Sequence, residues 1–209
     1  SGDFYSVLQN KDKVIVAAAD CTGHGVAGAF MSMIGTSLIN HLVNEKNITN
    51  PAVILDELNE GIINSLKQRQ GDSNDGMDIG LCSIDFKENK LLFAGANRPL
   101  WLFRNEEIKV IKPDKFPIGG MQVDHKNKYT AHSIDLLPND TIYIFSDGYS
   151  DQFGGEQGKK MMSKRFKQYL QVMQHLPMDK QKEQLEQLFN SWKGNHEQVD
   201  DVLVVGIRV

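Results

Sequence analysis

The chain has 209 residues, of which 40% are hydrophobic and 24% charged, and carries a formal net charge of −4. That balance belongs to a folded globular domain, excludes a disordered tail, and offers no basic surplus of the kind nucleic-acid binding asks for. Two cysteines, Cys21 and Cys82, are too few for a disulfide framework or a cysteine zinc site, and their expected state is two reduced thiols in the cytoplasm. No apolar run reaches the length of a membrane span by inspection, and no signal-peptide pattern opens the sequence. The first residue is Ser1, in the middle of what reads as a motif, so the expectation is one domain, residues 1–209, excised from a longer protein.

Residues 4–9 and 13–19 are apolar-rich runs joined by Asn10-Lys11-Asp12, the pattern of a hairpin. The second run delivers Asp20 at its end, and Gly23, Gly25 and Gly28 follow before a helical period takes over from Val26 to about residue 44. A carboxylate at a strand end, turned through glycine beside a helix start, suits a metal or a phosphate-bearing ligand, and equally suits a plain helix cap. Asn50-Pro51 predicts the start of a second amphipathic helix, running to about residue 70. Short strands are expected at 77–86, 90–94, 100–104 and 108–112, read as an antiparallel meander. After a loop at 116–120 come strands at 129–136 and 141–146, a mobile stretch at 153–158, helices at 159–174 and 179–193, and a last strand at 202–209. Two helical pairs flanking a strand-rich middle imply an α+β fold, an α/β/β/α four-layer sandwich whose two mostly antiparallel sheets lie between helices.

Acidic residues recur where strands start or stop: Asp3, Asp20, Asp147 and the pair Asp200-Asp201. Gathered at one sheet edge they would repel unless cations neutralised them, and all-oxygen ligands favour Mg²⁺ or Mn²⁺ over zinc. Two such ions can lower the pKa of a bridging water and support in-line hydrolysis of a phosphate monoester. Cys21 in acidic surroundings is a poor nucleophile, because neighbouring negative charge raises a thiol pKa. His24 lies close enough in sequence to donate a proton to a leaving alkoxide, but a hydrogen bond within the turn explains it as well.

The motifs in order bring the chain to a known family. Ser1-Gly2-Asp3-Phe4-Tyr5, Asp20-Cys21-Thr22-Gly23-His24-Gly25, Ala94-Gly95-Ala96-Asn97-Arg98-Pro99-Leu100, Phe116-Pro117-Ile118-Gly119, Ser146-Asp147-Gly148 and Asp200-Asp201 resemble the series of the sporulation-stage-II-E-like branch of metal-dependent protein phosphatases, related to protein phosphatase 2C. The resemblance implies two Mn²⁺ or Mg²⁺ ions at one sheet edge. Carried over by position, Asp20 bridges the ions, the Cys21 backbone carbonyl completes one shell, Asp147 and Asp200 hold one ion, Asp3 lies near the second, and Asp201 is their neighbour. It also implies hydrolysis of phosphoserine or phosphothreonine on a regulatory protein, such as an anti-sigma-factor antagonist, and a sensor domain upstream. No nucleic acid or membrane contact is expected of the domain itself, while a homodimer fits the same picture. Two departures from the family pattern stand out: Thr22 fills a slot that eukaryotic-type relatives give to histidine, and Leu203 replaces the usual threonine of the closing motif. A catalytically weak signalling module on the same fold is the alternative reading.

Overall fold

The computed structural model describes residues 2–23, 25–71, 73–120 and 127–209. Strand β1 (Phe4–Asn10) turns through Lys11, at a left-handed φ of 54°, into β2 (Lys13–Cys21). Helix α1 (Val26–Asn40) runs on through a π-helical turn, His41–Glu45. Helix α2 (Pro51–Ser65) starts as expected: the Asn50 side-chain oxygen accepts from the backbone N–H of Ala52 at 3.0 Å, and proline holds the first helical position. Strands β3 (Gly76–Asp85), β4 (Lys90–Ala96), β5 (Leu100–Arg104), β6 (Glu107–Ile111), β7 (Ile118–Gly119), β8 (His132–Asp135) and β9 (Thr141–Phe145) fill the middle of the chain. A short helix α3 (Gly148–Asp151), a two-residue hairpin of β10 (Phe153–Gly154) and β11 (Lys159–Lys160), helices α4 (Met162–Val172) and α5 (Met178–Lys193), and β12 (Val204–Arg208) complete it.

One sheet has the order β1-β2-β3-β4-β8, with β7 also on β3, and the other has the order β12-β9-β5-β6. All the strand pairs are antiparallel. Period-two alternation sorts each strand's side chains between layers. In β2, Ile15, Ala17 and Ala19 face α1 and α2, while Val16 and Ala18 face the second sheet. In β9, Ile142 and Ile144 point into that same middle layer, and Tyr143 and Phe145 point out toward α4 and α5. Three apolar layers therefore separate helices, sheet, sheet and helices, which is the expected four-layer arrangement.

Three expectations need correcting. The strands at 77–112 do not form one meander: β4 belongs to the first sheet and β5 to the second, so the chain crosses between sheets at Asn97-Arg98-Pro99. The stretch expected to be mobile forms the β10–β11 hairpin, held where Gly155 N–H donates to the Trp192 carbonyl at 2.8 Å and the Trp192 ring N–H to the Gln152 carbonyl at 3.0 Å. And Val26–Glu45 is, by length and composition, apolar enough to cross a membrane. Here its Met31, Gly35 and Ile39 face packs on the first sheet, with Gly35 giving room for Phe4 and Met77, while Val26, Phe30 and Met33 are exposed.

Asp140, 1% exposed, opens β9 under a two-armed grip. Its carboxylate accepts from Arg104 Nε at 2.8 Å and Nη2 at 2.5 Å, and from the Leu137 backbone N–H at 2.8 Å. Losing Asp140 leaves the Leu137 N–H and the guanidinium of Arg104, itself 32% exposed, without their acceptor. Asp140→Ala is expected to cost about 2 kcal/mol in urea unfolding, with an unchanged dependence on denaturant. An unshifted midpoint would show that this grip does not hold the second sheet.

Candidate metal centre

Asp20 lies on the face of β2 that looks between the sheets, one pleat beyond Ala18. Its direct cross-strand partner in β3 is Asp78. Like charges placed opposite one another destabilise an antiparallel pair. From the second sheet, Ser146 and Asp147 follow the end of β9 and bring a third carboxylate to the same mouth of the sandwich. The small side chain of Ala18 and the bare Gly80, over which Ile144 packs, let the sheets close there.

The cation among these carboxylates is Arg98, on the sheet-to-sheet crossover. Its Nη2 lies 2.6 Å from Asp20 Oδ2, 2.7 Å from Asp147 Oδ2 and 3.3 Å from Asp78 Oδ2. Asn97, at a left-handed φ of 56°, turns the chain and donates from Nδ2 to Asp78 Oδ1 at 2.8 Å. The Asp3 Oδ2 atom is buried with no hydrogen-bond partner. Asp201 Oδ2 accepts from the Gly2 backbone N–H at 2.7 Å, and Asp200 Oδ1 accepts from the Asp201 N–H at 2.8 Å.

Burial, with the charges of Asp201 and Asp200 adding to it, raises the Asp3 carboxyl to about 6 against hydrogen bonding from Ser146. Burial raises Asp20 to about 7, with Asp3, Asp147 and Asp200 adding to the rise and Arg98 opposing it. Asp78 is raised by burial too, while its bond from Asn97 and the Arg98 charge oppose that. Cys21 is pushed up to about 12 by burial and by Asp20 and Asp3, so its thiol is no nucleophile. The Cys21 carbonyl lies so close to Gly2 that a Cβ there would stand 3.0 Å from it.

The structure brings Asp3 within electrostatic reach of Asp200 and Asp201, and Asp20 within reach of Asp3, Asp147 and Asp200. His24 lies outside the described residues. Thr22, in the slot where relatives carry histidine, lashes β2 to β3: its Oγ1 accepts from the Gly76 N–H at 2.9 Å, and its own N–H donates to the Gly76 carbonyl at 2.9 Å. Leu203 faces the core between the sheets and donates its N–H to Ser146 Oγ at 3.1 Å. Sequence reasoning gave no role to Asp78 or Arg98. The signal for Asp78 is a lone charge inside the apolar run Met77 to Leu81; Arg98 stands within the quoted motif Ala94 to Leu100, but its partners are remote in sequence and give it no readable role there.

Among the described residues no three carboxylate, imidazole or thiol side chains converge as a ready-made cage for one ion. The donors nevertheless fit a hard divalent cation. They are all oxygen, one buried carboxylate oxygen has no partner, and the cluster carries repulsion that added positive charge relieves.

A family model described as stage II sporulation protein E matches residues 10–209. The chain belongs to that family. Among solved structures, the SiaA-PP2C domain of Pseudomonas aeruginosa is 31% identical with a TM-score of 0.90, covering 100% of this chain and 80% of that one. The PP2C phosphatase domain of SpoIIE from Bacillus subtilis, solved with a fragment of its regulatory domain, is 21% identical with a TM-score of 0.75, covering 100% and 57%. RsbX, solved in complex with magnesium, is 17% identical with a TM-score of 0.64, covering 100% and 87%. No curated protein matches the chain. The family and the fold together are those of the PP2C-like phosphatases.

Two outcomes follow from this geometry. Asp3 and Asp20 hold protons in the folded chain that the unfolded chain, at the ordinary 3.8, has released. Their contribution to the stability of the metal-free protein is therefore full below pH 3.8 and is lost as pH rises through about 6 and 7. Thermal unfolding in chelator between about pH 5 and 8 should show a fall in Tm that Asp20→Asn flattens; an equal fall in the variant would place the effect elsewhere. At the β9–α3 turn, a Cβ on Gly148 would lie 1.9 Å from the Asp201 carbonyl oxygen. Gly148→Ala must push the Asp147 and Asp201 segments apart, and is expected to cost about 1–3 kcal/mol and to weaken Mn²⁺ binding measured by calorimetry.

Proposed function

We propose that the domain is a metal-dependent serine/threonine protein phosphatase acting on a phosphorylated regulatory protein. The observation that carries this reading is the meeting of Asp20 from one sheet and Asp147 from the other at a single mouth, in a chain of a phosphatase family. Asp20, Asp147 and Asp200 are the catalytic carboxylates, and Asp3, the Cys21 carbonyl and Asp201 complete the ligand set for two Mn²⁺ or Mg²⁺ ions. When bound, such ions supply an activated water at neutral pH and positive charge for the phosphoryl oxygens. The chain's own part is to fix the carboxylates before substrate arrives. The Asp20–Asp78 register and the Gly148 contact set their separation, and the hydrogen bonds on Asp201 and Asp200 fix their orientation. No protein nucleophile is needed, which accords with the protonated thiol of Cys21. An upstream sensor domain in the parent chain accords with the SpoIIE relative, solved with a fragment of its own regulatory domain.

A second reading, a signalling module with weak catalysis, draws on the place of Arg98 among the carboxylates. Hydrolysis of a phosphoserine peptide with and without Mn²⁺ separates the two. Turnover should require the ion and fall at least about 100-fold in Asp147→Asn. Equal rates in the wild type and the variant would sink metal catalysis, and saturable Mn²⁺ binding without turnover would favour the module.

A further inference from the structure

Arg98 is bonded in an unusual way for a buried structural arginine. Its side chain is 14% exposed, yet a single nitrogen, Nη2, meets all three carboxylates, and its Nε is buried without any partner. Arg104 in the same chain shows the contrast: it grips Asp140 with Nε and Nη2 together. The two-armed fork is what makes arginine a durable partner for a carboxylate. At Arg98 the two hydrogens of Nη2 are divided between Asp20 and Asp147, with Asp78 at 3.3 Å, so no carboxylate is held by two arms.

We infer that Arg98 is an exchangeable counter-cation of the carboxylate cluster, held there in the metal-free protein and displaced when divalent ions take the same oxygens. The inference rests on the metal reading above. Asp20 Oδ2 and Asp147 Oδ2 are the atoms that Arg98 occupies, and both belong to the proposed ligand set. The carboxylates come from β2, β3 and the end of β9, and without Arg98 their repulsion would fall on the Asp20–Asp78 pair and on the meeting of the two sheets. Arg98 thus keeps the metal-free fold closed, and that same pairing must be given up on ion binding. The exchange asks only for a side-chain swing: the crossover backbone stays tied, with the Asn97 N–H donating to the Asp114 carbonyl at 2.9 Å and the Arg98 N–H to that of Ala96 at 2.7 Å.

The test is calorimetric titration of Mn²⁺ into wild type, Arg98→Gln, Arg98→Lys and Lys160→Gln, with thermal unfolding of each in chelator and in saturating Mn²⁺. Lys160 is the control cation, paired with Asp151 at 2.6 Å and contributing charge near Asp147 without touching it. Arg98→Gln should bind Mn²⁺ about tenfold more tightly than wild type, while Lys160→Gln stays within about twofold. Arg98→Gln should also melt lower in chelator, with the deficit closing in Mn²⁺. Arg98→Lys, which keeps the charge, should bind with an affinity between wild type and Arg98→Gln; it carries the test if the glutamine variant does not fold without the ion. Equal or weaker binding in both Arg98 variants overturns the exchange and makes Arg98 a fixed support of the ligands, whose loss typically weakens metal binding about 10–100-fold. Absence of Mn²⁺ binding in every protein, the wild type included, overturns both this inference and the metal reading beneath it.

Discussion

Carboxylates cannot be gathered on one low-dielectric edge without a charge to answer them. At the mouth of this sandwich Asp20 and Asp78 face each other across a strand pair and Asp147 arrives from the opposite sheet. Much of the surrounding architecture serves that meeting. The register of β2 on β3 sets two of the anions, the alternation of β9 aims its end at the same gap, and the crossover between β4 and β5 supplies the cation. A slip of one residue between β2 and β3 would turn Asp78 or Asp20 into the helix-facing core and would separate the group entirely.

The site is also shaped by where side chains are missing. Gly148 gives way to the Asp201 carbonyl, Gly2 to that of Cys21, and Gly28 to that of Gly23, against which a Cβ would stand at 2.6 Å. Backbone therefore packs on backbone around the carboxylates, and their spacing depends on main-chain geometry more than on side-chain rotamers. The buried apolar layer of Ile142, Ile144, Val16, Ala18 and Cys82 lies between the same two sheets, close-packed as protein interiors are.

Local signals in the sequence carried most of the fold. The Asn50-Pro51 start of α2, the Lys11 hairpin and the strand that leads to Asp147 all depend on a few adjacent residues, and each stands where its pattern implied. What local patterns do not encode is which sheet a strand joins. Strands β4 and β5 read as neighbours because only Asn97 to Pro99 separates them, yet the turn sends them to different layers. The same limit hid part of the site. Asp3, Asp20, Asp147 and Asp200-Asp201 were visible because each sits at a strand boundary, where a carboxylate has a recognisable context. Asp78 lies within its strand, and Arg98 acquires meaning only through partners 78 and 49 residues away. The ordered motifs supplied the family; the charge balance inside the site had to come from three dimensions.

The two thiols give the molecule a pair of internal reporters. Cys21 ends β2 next to Asp20, and Cys82 is sealed between the sheets. Burial raises both thiols above their ordinary value, so neither presents a reactive thiolate while its surroundings stay closed. Alkylation of Cys21 therefore clocks the opening of the site's edge, and alkylation of Cys82 clocks parting of the whole sandwich. The difference between the two rates distinguishes breathing at the mouth from global unfolding, with no engineered cysteine.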